Sequence, residues 1–543
     1  MKDSNKQNKF FSRQMLKKTG AFLLALILAT PILLYAPKAQ AKVVTVTVNI
    51  TSASKAEALI QKKIDAVAAK AKDTVRYTVK ISPAGTYNIS KGLTLYSNVT
   101  LDLNKSVLKR TGSSINMIRI GAKADNKATS GKTGYAYKNI SVINGVLDGG
   151  KKGKAIFKGG HAKNIKLTNL TFRNVVDGHM VEAAGISGLT ISKCIFKNQT
   201  VSASGDHFRE SIQIDILEET HFSEYRVQVL PTKNVKILNC TFKNVPRGIG
   251  SSSSILNKPN SGITIQGCKF DTTTSTAIYA IGWKDVKITD NIIRNCPRAI
   301  CLYPIRKSCS GTYPASYLVS KGGVKSSVAS TWSPYVMNAE ITGNTITIND
   351  KADPYSDTGA TNLAIEIKGF NITSNTSLSN GSYVPKGNYR PSGIIISGNT
   401  ITVPGHGIRV ENANPDLIDA NEVNCTISAG NYFGIAADNL IMDSISGNTI
   451  NGTPSNSIHI TGSSTIGKVS GNIINDTGKY AINVSGSRLE HLDDNMITMN
   501  GSYGIVLKTS NIGYASGNTI KGSYKHLFNT TGCIEHLGDN NEE

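Results

Sequence analysis

The sequence predicts an all-β protein, specifically a right-handed parallel β-helix (solenoid) with an N-terminal capping α-helix. The first observation is a repeat of most often 22 to 24 residues, a period typical of a solenoid. The second is the alternation of Ile and Val with polar residues, which marks short strands and leaves no room for a helix in each repeat. The third is composition, since 50 glycines and only 6% aromatic residues suit many short strands joined by turns. Right-handedness is the expectation for parallel crossovers.

One slot of the repeat is polar and recurs regularly. In ISGNTING (445–452) and VSGNIIND (469–476) it holds an asparagine, and an inward asparagine at a bend can hydrogen-bond its equivalents along the stack. In earlier repeats the slot holds Cys194, Cys240 and Cys268, which we interpret as small, buried, apolar side chains. The asparagines assigned to the slot are Asn291, Asn344, Asn399, Asn421, Asn448, Asn472, Asn495 and Asn518.

Residues 1–41 have the pattern of a signal peptide. A basic segment precedes the apolar run AFLLALILATPILLYA, and the A-x-A pattern at 39–41 predicts cleavage after Ala41. An uncleaved membrane anchor is the alternative, but the apolar run is shorter than the ~20 residues that a span needs. We therefore expect a secreted or cell-surface protein with no membrane span once the signal is removed.

Residues 42–74 are predicted to form an N-terminal strand and a helix that caps the first coil, because an open sheet edge needs a cover. Within 54–72, Ser54 and Glu57 have the spacing of a capping box. The apolar residues of this segment follow a helical period and should pack on the first coil. They are Ile60, Ile64, Val67, Ala68 and Ala71.

The β-helix itself is predicted over 75–543, with loop insertions at about 303–340 and 350–392. Cys301 and Cys309 flank the loop PIRKSCSG, so a disulfide between them is one alternative and two thiols the other. The three cysteines of the repeat slot lack C-x-x-C spacing, which argues against a metal site there.

The formal net charge of +23 suggests a polyanionic partner for an exported protein, such as an acidic polysaccharide. A solvated basic surface without a specific partner is the alternative. Nucleic acid is not expected, because no compact Arg/Lys run with interleaved aromatic residues appears. We expect the protein to act as a monomer.

Several stretches carry a family resemblance. AGTYNIS (84–90), LYSNVTLDL (95–103) and the coil NVKILNCTFKN resemble the pectate-lyase-like superfamily of right-handed parallel β-helices, which are exported polysaccharide-active proteins. The resemblance implies the fold over roughly 75–543, but that fold carries lyases, hydrolases, epimerases, tailspikes and adhesins, so it does not imply one reaction. Of the pectin-hydrolase motifs only Gly405-His406-Gly407 matches, and we interpret that triplet as a tight bend.

Alignment of the coils by their inward residues predicts one strand whose outward side chains form a sugar-binding groove. Tyrosine rings can stack on sugars there, and charged or amide groups can bind hydroxyls and carboxylates. The first outward row is Glu182, Gln213, Gly250, Tyr279, Cys301, Glu366 and Arg409. Two positions further along the strand lie Asp215, Ser252, Tyr303, Lys368 and Glu411. A two-residue shift of this register is the alternative, and it would bring Asp215 rather than Gln213 beside Glu182. The substrate-binding candidates are Gln213, Tyr279, Tyr303, Trp332, Glu366, Lys368 and Arg409.

The densest group of ionisable residues lies between 177 and 215. Carboxylates one or two rungs apart span the separations used by retaining and inverting glycosidases, so Glu182 and Asp215 are candidates for an acid and nucleophile pair. A lyase or epimerase would instead use a base and a clamp on the substrate carboxylate, for which His179 or His207 and Arg247 are the candidates. Structural roles in turns and ion pairs remain the alternative for each.

No cofactor is indicated, although calcium is conceivable through Asp177, Asp206 and Asp215. Two functional hypotheses follow. The first is a secreted enzyme that cleaves a polysaccharide, expected to be acidic, by elimination or hydrolysis. The second is a non-catalytic surface or matrix protein that binds glycans along its solenoid.

Overall fold

The computed structural model describes the second of the chain's two compact units, Val43–Glu543, and only the last residues of the first unit, Met1–Lys42. The predicted signal peptide therefore lies almost wholly outside the described residues. The described residues are 40–121, 133–202, 209–217, 225, 228–255, 258–305, 312–313, 335–351, 362–374, 376–377, 383–384, 386–500 and 502–543.

The described strands wind into coils that stack in parallel register, which confirms the predicted parallel β-helix. Each coil contributes one strand to each of three faces. Faces 1 and 2 belong to one sheet of 31 described strands, and face 3 is a sheet of 15 described strands. Lys42–Asn49 pairs with the first strand of face 1, and Tyr137–Lys152 and Ala162–Val176 run through both faces 1 and 2.

The remaining strands of each face follow the chain order. Face 1 consists of Val75–Ser82, Val99–Asp102, Ile186–Ser192, Lys233–Leu238, Asn260–Gln266, Trp283–Thr289, Val336–Thr342, Ser392–Ser397, Leu417–Asp419, Ile441–Ser446, Thr465–Ser470, Arg488–Asp493, Asn511–Ser516 and Cys533–Leu537. Face 2 consists of Thr86–Ile89, Val107–Arg110, Ile195–Thr200, Thr241–Val245, Lys269–Thr273, Ile292–Cys296, Thr345–Ile348, Thr400–Val403, Glu422–Cys425, Thr449–Asn451, Ile473–Asn475, Met496–Met499, Thr519–Gly522 and Asn541–Glu542. Face 3 consists of Leu93–Leu95, Ile118–Ile120, Phe157–Gly159, Val181–Ala184, Glu210–Asp215, Arg247–Gly250, Thr276–Ile281, Arg298–Tyr303, Leu363–Lys368, His406–Glu411, Ile435–Asp438, Asn456–Thr461, Tyr480–Ser485, Tyr503–Lys508 and His526–Thr530.

Three short ribbons lie outside these faces. Ser254–Ile255 pairs in parallel with Thr312–Tyr313. Two antiparallel hairpins come from the second predicted insertion, and they are Phe370–Ile372 with Gly387–Tyr389 and Thr376–Ser377 with Tyr383–Val384.

The predicted asparagine slot forms a continuous hydrogen-bonded ladder between faces 1 and 2. The side-chain oxygen of Asn472 accepts both the backbone N–H and the side-chain amide of Asn448, each at 3.0 Å. The Asn472 amide in turn donates to Asn495 Oδ1 at 2.9 Å and to the carbonyl of Ile445 at 3.1 Å. The slot is therefore buried yet satisfied, which confirms the prediction.

In earlier coils the same slot holds the predicted buried cysteines. Cys194, Cys240 and Cys268 are at most 1% exposed, which confirms their interpretation as core residues. Beside them, four phenylalanines stack face to face on successive coils at centroid separations of 4.6 to 4.9 Å, close to the spacing of neighbouring strands. They are Phe172, Phe196, Phe242 and Phe270. Cys301 is also buried, but Cys309 lies outside the described residues, so the disulfide stays a prediction.

The N-terminal helix spans Ala56–Ala68 after a 3₁₀ turn at Ala53–Lys55. It buries Ile60, Ile64 and Val67 as predicted. Ala68 is only partly buried in the core and Ala71 lies beyond the end of the helix.

The predicted capping box is wrong, because no side chain caps this helix and Ser54 bonds to Ser52 instead. Glu57 accepts hydrogen bonds from the backbone N–H groups of Ser90, Lys91 and Gly92 at 2.8 to 3.0 Å. Its carboxylate thus fixes the helix to the bend between faces 2 and 3, a tertiary role that the local S-x-x-E spacing does not reveal. Among the described residues, no helix is both long and apolar enough to cross a membrane.

We predict that Asn472→Ala lowers the free energy of unfolding by at least about 2 kcal/mol, because the groups that bond to its side chain stay buried without partners. Asn475→Ala is the matched control in the same coil, where the half-buried side chain donates one hydrogen bond to Asn451. Chemical denaturation of both variants measures the difference. Equal losses in the two variants would show that the ladder does not stabilise the stack.

Candidate functional site

Face 3 is built on a recurrent local motif, a small residue followed by an inward Ile or Val. GHGIRV (405–410) and YGIVLK (503–508) show it. At Gly407 the small residue is required, since a Cβ would lie 2.4 Å from the carbonyl oxygen of Gly434 on the next coil. The residue before the small residue starts the strand and points outward. The coil of His406 therefore has three outward positions, which are occupied by His406, Arg409 and Glu411.

The predicted alignment of face 3 is confirmed. Glu182 pairs with Gln213, and Gln213 with Gly250, on neighbouring coils. The row continues in the predicted order as Gly250, Tyr279, Cys301, Glu366 and Arg409. Asp215 lies beside Ala184, two positions from the row of Glu182, and Lys368 pairs with Glu411.

Most side chains of the predicted sugar-binding groove are buried between the coils of Gln213 and Glu366. Gln213, Tyr279 and Tyr303 are each no more than 4% exposed, and Glu366 and Asp215 are fully buried. The sequence register correctly points these side chains away from the core of the solenoid. Residues outside the face 3 strands pack over part of this face, and the alignment of the coils does not predict these contacts.

Among the described residues, contacts that cover face 3 occur at two places. Near its N-terminal end, Tyr225 packs on Ala184 and Leu217 and donates hydrogen bonds to the carbonyls of Ile120 and Lys158. In the middle, Phe370 and Tyr389 of the first hairpin form an apolar cluster with residues of face 3. Those residues are Tyr279, Ile281, Cys301, Tyr303 and Ile305.

The predicted carboxylate pair is engaged in separate contacts. Asp215 accepts hydrogen bonds from the Ser252 N–H at 2.9 Å, the Ser252 hydroxyl at 2.7 Å and the Ser253 N–H at 3.2 Å. Glu182 pairs with Lys158 at 2.8 Å. Gln213 donates to Ser252 at 2.8 Å. These contacts hold the Asp215 carboxylate in a structural position, so the arrangement does not favour Asp215 as a nucleophile.

A buried ionic cluster lies at the start of the face 3 strands, where Glu210 is the first residue of the strand Glu210–Asp215. Glu210 contacts His179 Nδ1 at 3.7 Å and the Arg247 guanidinium at 3.4 Å, and all three side chains are at most 3% exposed. His179 Nδ1 donates to the Glu210 carbonyl at 2.8 Å, and Nε2 lies 3.4 Å from Arg209. A buried carboxylate held between a histidine and an arginine is an arrangement common at functional sites.

Arg247 links this cluster to the aromatic residues of face 3. Its guanidinium lies 3.8 Å from the ring centroid of Tyr279, and Tyr279 meets Tyr303 edge to face at 5.3 Å. The Tyr303 hydroxyl and the Arg298 guanidinium both donate to Glu366 in a second buried ionic cluster. Burial raises the pKa of Tyr303 well above its ordinary value, so its hydroxyl keeps its proton.

Face 3 becomes accessible from the coil of Lys368 onward. Lys368 lies 2.5 Å and Arg409 2.9 Å from the Glu411 carboxylate, and the three side chains keep 14 to 30% of their surface exposed. Of the predicted substrate-binding residues that are described, these two cations alone retain such exposure.

Aromatic side chains follow on this accessible part, one on each of five coils, and we name these five residues the aromatic strip. Four of them occupy the outward position before the small residue, whereas in the third coil Asn456 occupies that position and His459 lies at the next outward position of the same strand. The strip occupies five successive coils, and every member is half-buried. Neighbouring rings lie 5.4 Å, 4.3 Å and 6.5 Å apart at its three measured ring pairs. The members are His406, Phe433, His459, Tyr480 and Tyr503.

Polar groups accompany the rings of the aromatic strip. Lys479 Nζ lies 5.2 Å from the Tyr480 ring and Lys525 Nζ 5.8 Å from the Tyr503 ring. The amides of Asn456 and Asn483 lie 3.1 and 2.9 Å from His459 Nδ1. The strip therefore combines ring surfaces with amide, imidazole and ammonium groups, the set that can contact a sugar ring, its hydroxyls and an acidic substituent.

Both histidines of the strip stay neutral near pH 7. Burial, followed by the charges of Arg409 and His459, lowers the pKa of His406 to about 4. The Phe433 N–H donates to His406 Nδ1 at 3.3 Å, so protonation of that nitrogen would also break a hydrogen bond. Burial lowers the pKa of His459 as well.

Other sequence predictions lie outside the described residues. His207 and Trp332 are among them, and so is Asp206 of the conceivable calcium site. Asp177 is described and accepts the Ser202 N–H at 2.9 Å. Within the described ranges, no three His, Cys, Asp or Glu side chains converge in a way that could hold a metal ion.

Sequence reasoning missed Glu210 as the centre of the ionic cluster and the whole aromatic strip. The interpretation of the triplet Gly405-His406-Gly407 as a bend overlooks His406, which begins the strip. A usable signal was present in the motif of face 3: the residue before each small residue starts a strand and points outward. That rule selects Glu210 before Ser211 and Tyr480 before Ala481.

We predict that stability falls as the pH drops from about 6.5 to about 4, partly through His406. In that window the unfolded chain binds a proton at this histidine that the folded chain does not, so the stability present above pH 6.5 is lost. His406→Gln should reduce the fall in melting temperature between pH 7 and pH 4.5. Exposed His536→Gln is the control, and an identical pH dependence in wild type and His406→Gln would contradict the assignment.

Comparison with known proteins agrees with the fold. Residues 155–310 match the family described as "Right handed beta helix region". No curated protein sequence matches the chain. Among solved structures, the Streptococcus pneumoniae surface protein and adhesin PfbA is 16% identical, with 90% of this chain and 96% of that chain covered and a TM-score of 0.39. A tailspike mutant of E. coli bacteriophage HK620, in complex with a pentasaccharide, is 14% identical, with 89% and 76% covered and a TM-score of 0.47. The chain folds as a right-handed parallel β-helix, and residues 155–310 match the family model for that fold.

Proposed function

We propose that this is an exported carbohydrate-binding protein that holds an extended glycan along the aromatic strip. The observation that carries the proposal is the run of half-buried aromatic rings on five successive coils of face 3. A ring supplies apolar contact at low cost in side-chain entropy, and Tyr and His add a polar tip. The rigid coils have a fixed spacing and present one ring each, in a shared outward row or, for His459, at the next outward position, which suits a linear polymer.

Charge favours an acidic glycan. The chain carries a formal net charge of +23, and Lys368, Arg409, Lys479 and Lys525 all lie along the accessible part of face 3. A carboxylate beside such cations gains a charge-assisted hydrogen bond. Export follows from the predicted signal peptide, and an extracellular or cell-surface location is part of the proposal.

We predict that Tyr480→Ala and Tyr503→Ala each weaken glycan binding several-fold, and that the double variant weakens it more than tenfold, since each ring contributes about 1 kcal/mol. The control is Tyr514→Ala, an exposed tyrosine on face 1. Affinity is measured on a panel containing polygalacturonate, alginate, hyaluronan and neutral glycans. Equal binding by the double variant and wild type, or wild type that binds none of the panel, would reject the strip as a glycan site.

A second candidate function is cleavage of the same class of polymer, and the buried cluster of His179, Glu210 and Arg247 favours it. A histidine within reach of a buried carboxylate can serve as a base, and an arginine can hold a uronate carboxylate. The predicted Glu182 and Asp215 pair has weaker support, because Asp215 already accepts three hydrogen bonds from Ser252 and Ser253.

We predict that an active protein loses turnover at least 100-fold in Glu210→Gln and in His179→Asn, consistent with loss of general acid or base catalysis. New unsaturated ends, followed by absorbance, report elimination, and reducing ends without absorbance report hydrolysis. Asp215→Asn is the comparison variant, and it should affect thermal stability more than turnover. A wild-type protein that binds the panel but forms no product leaves binding as the function.

A further inference from the structure

Face 1 carries a second periodicity that none of the sites above uses. Between residues 162 and 290 the coils alternate between two motifs. One has two lysines three residues apart, as in AKNIKLT (162–168), TKNVKIL (232–238) and WKDVKIT (283–289). The other replaces both lysines by hydroxyl residues, as in ISGLTIS (186–192) and NSGITIQ (260–266).

The register places these motifs directly above one another. Lys163 pairs with Ser187, which pairs with Lys233, and the row continues through Ser261 to Lys284. The second row runs in the same way. It consists of Lys166, Thr190, Lys236, Thr264 and Lys287. The result is three lysine pairs on every second rung, separated by two hydroxyl rungs, which we name the lysine strip.

The lysine strip is accessible and largely uncompensated. Lys163, Lys166 and Lys236 are exposed, and Lys233 and Lys284 are half-buried. Only Lys287 pairs with an acid, Glu340, at 2.9 Å, at the point where the alternation ends. In the described part of the chain, none of the other five lysines forms an ion pair.

Packing alone does not require this pattern. Lysines directly opposite each other on neighbouring strands repel, so a hydroxyl rung between them relieves part of the repulsion. An aspartate or glutamate on those rungs would remove more of the repulsion, because it would form ion pairs with the lysines, as Glu340 does with Lys287. Six lysines with only Ser and Thr between them leave a strip of positive potential along the axis of the solenoid.

We propose that the lysine strip is a separate binding surface for a linear uronate-containing polysaccharide with one carboxylate per disaccharide, lying parallel to the axis. Lysine pairs two rungs apart repeat at about 10 Å, since neighbouring strands are ~4.8 Å apart. That repeat is close to the length of two sugars in an extended chain. The Ser and Thr hydroxyls then face the sugar hydroxyls between successive carboxylates.

The spacing disfavours nucleic acid. Phosphates recur every 3.4 Å along each strand of a duplex, much more densely than the lysine pairs. The surface also differs from the aromatic strip in face and in position along the chain, because the lysine strip ends at residue 287 and the aromatic strip begins at residue 406. The inference therefore stands independently of the proposed function of face 3.

The test replaces Lys166, Lys236 and Lys287 by threonine, the residue that already occupies this row at positions 190 and 264. The control removes the same charge from face 2 with Lys197→Thr, Lys243→Thr and Lys269→Thr. The probe is hyaluronan, which has one carboxylate per disaccharide, and dextran and inorganic polyphosphate serve as neutral and phosphate comparisons. Dissociation constants are measured at two salt concentrations, with melting curves to verify folding. If the threonine substitutions lower the melting temperature, the same three lysines are replaced by glutamine instead.

We expect the lysine-strip variant to bind hyaluronan more than tenfold more weakly and with a smaller salt dependence, and the face 2 control to bind within about twofold of wild type. The lysine-strip substitutions should weaken hyaluronan binding by the same factor in the Tyr480→Ala/Tyr503→Ala background as in the wild type, which separates this inference from the function proposed for face 3. Equal losses of hyaluronan affinity in the lysine-strip variant and the face 2 control would show that binding depends only on net charge, and would overturn the proposal. Tighter binding of polyphosphate than hyaluronan, or no binding of hyaluronan by wild type, would overturn the proposal.

Discussion

Stacking of successive coils in parallel register is the constraint on which the rest of the structure depends. Each strand hydrogen-bonds to the equivalent strand one coil away, so every residue sits beside its own equivalents. A polar side chain inside such a stack is tolerated only if it can bond to its neighbours along the stack. Asparagine meets this need because its amide both donates and accepts, and Asn448, Asn472 and Asn495 do both.

The same stacking turns a local sequence choice into a long surface. A residue type that recurs once per coil becomes a row, and a type that recurs on alternate coils becomes a row with twice the spacing. The lysine strip is of the second kind. The aromatic strip has one ring per coil, but His459 lies one outward position away from the row of the other four. Both lie on a scaffold whose spacing is set by backbone hydrogen bonds, and such preorganisation favours recognition of a polymer that has its own regular repeat.

The solenoid also explains why ionic groups are buried outside its core. Among the described residues, Tyr225, Phe370 and Tyr389 pack over part of face 3. The carboxylates that they cover acquire partners, since a buried unpaired charge is very costly. Glu210 has His179 and Arg247, while Glu366 has Arg298 and Tyr303. Such groups are held firmly, which is compatible with catalysis only where a substrate can reach them.

The fold, the capping helix and the rows of face 3 can be predicted from the sequence, because the coil period and the alternation of Ile and Val are local and repeat many times. The same pattern brings either Gln213 or Asp215 beside Glu182, and the backbone pairing selects Gln213. The accessibility of the outward residues depends on tertiary contacts, since the covering contacts of Tyr225 and Phe370 join positions far apart in the chain and follow no repeat. The role of Glu57 was decided in the same way, because its partners lie more than thirty residues away on the bend that it holds.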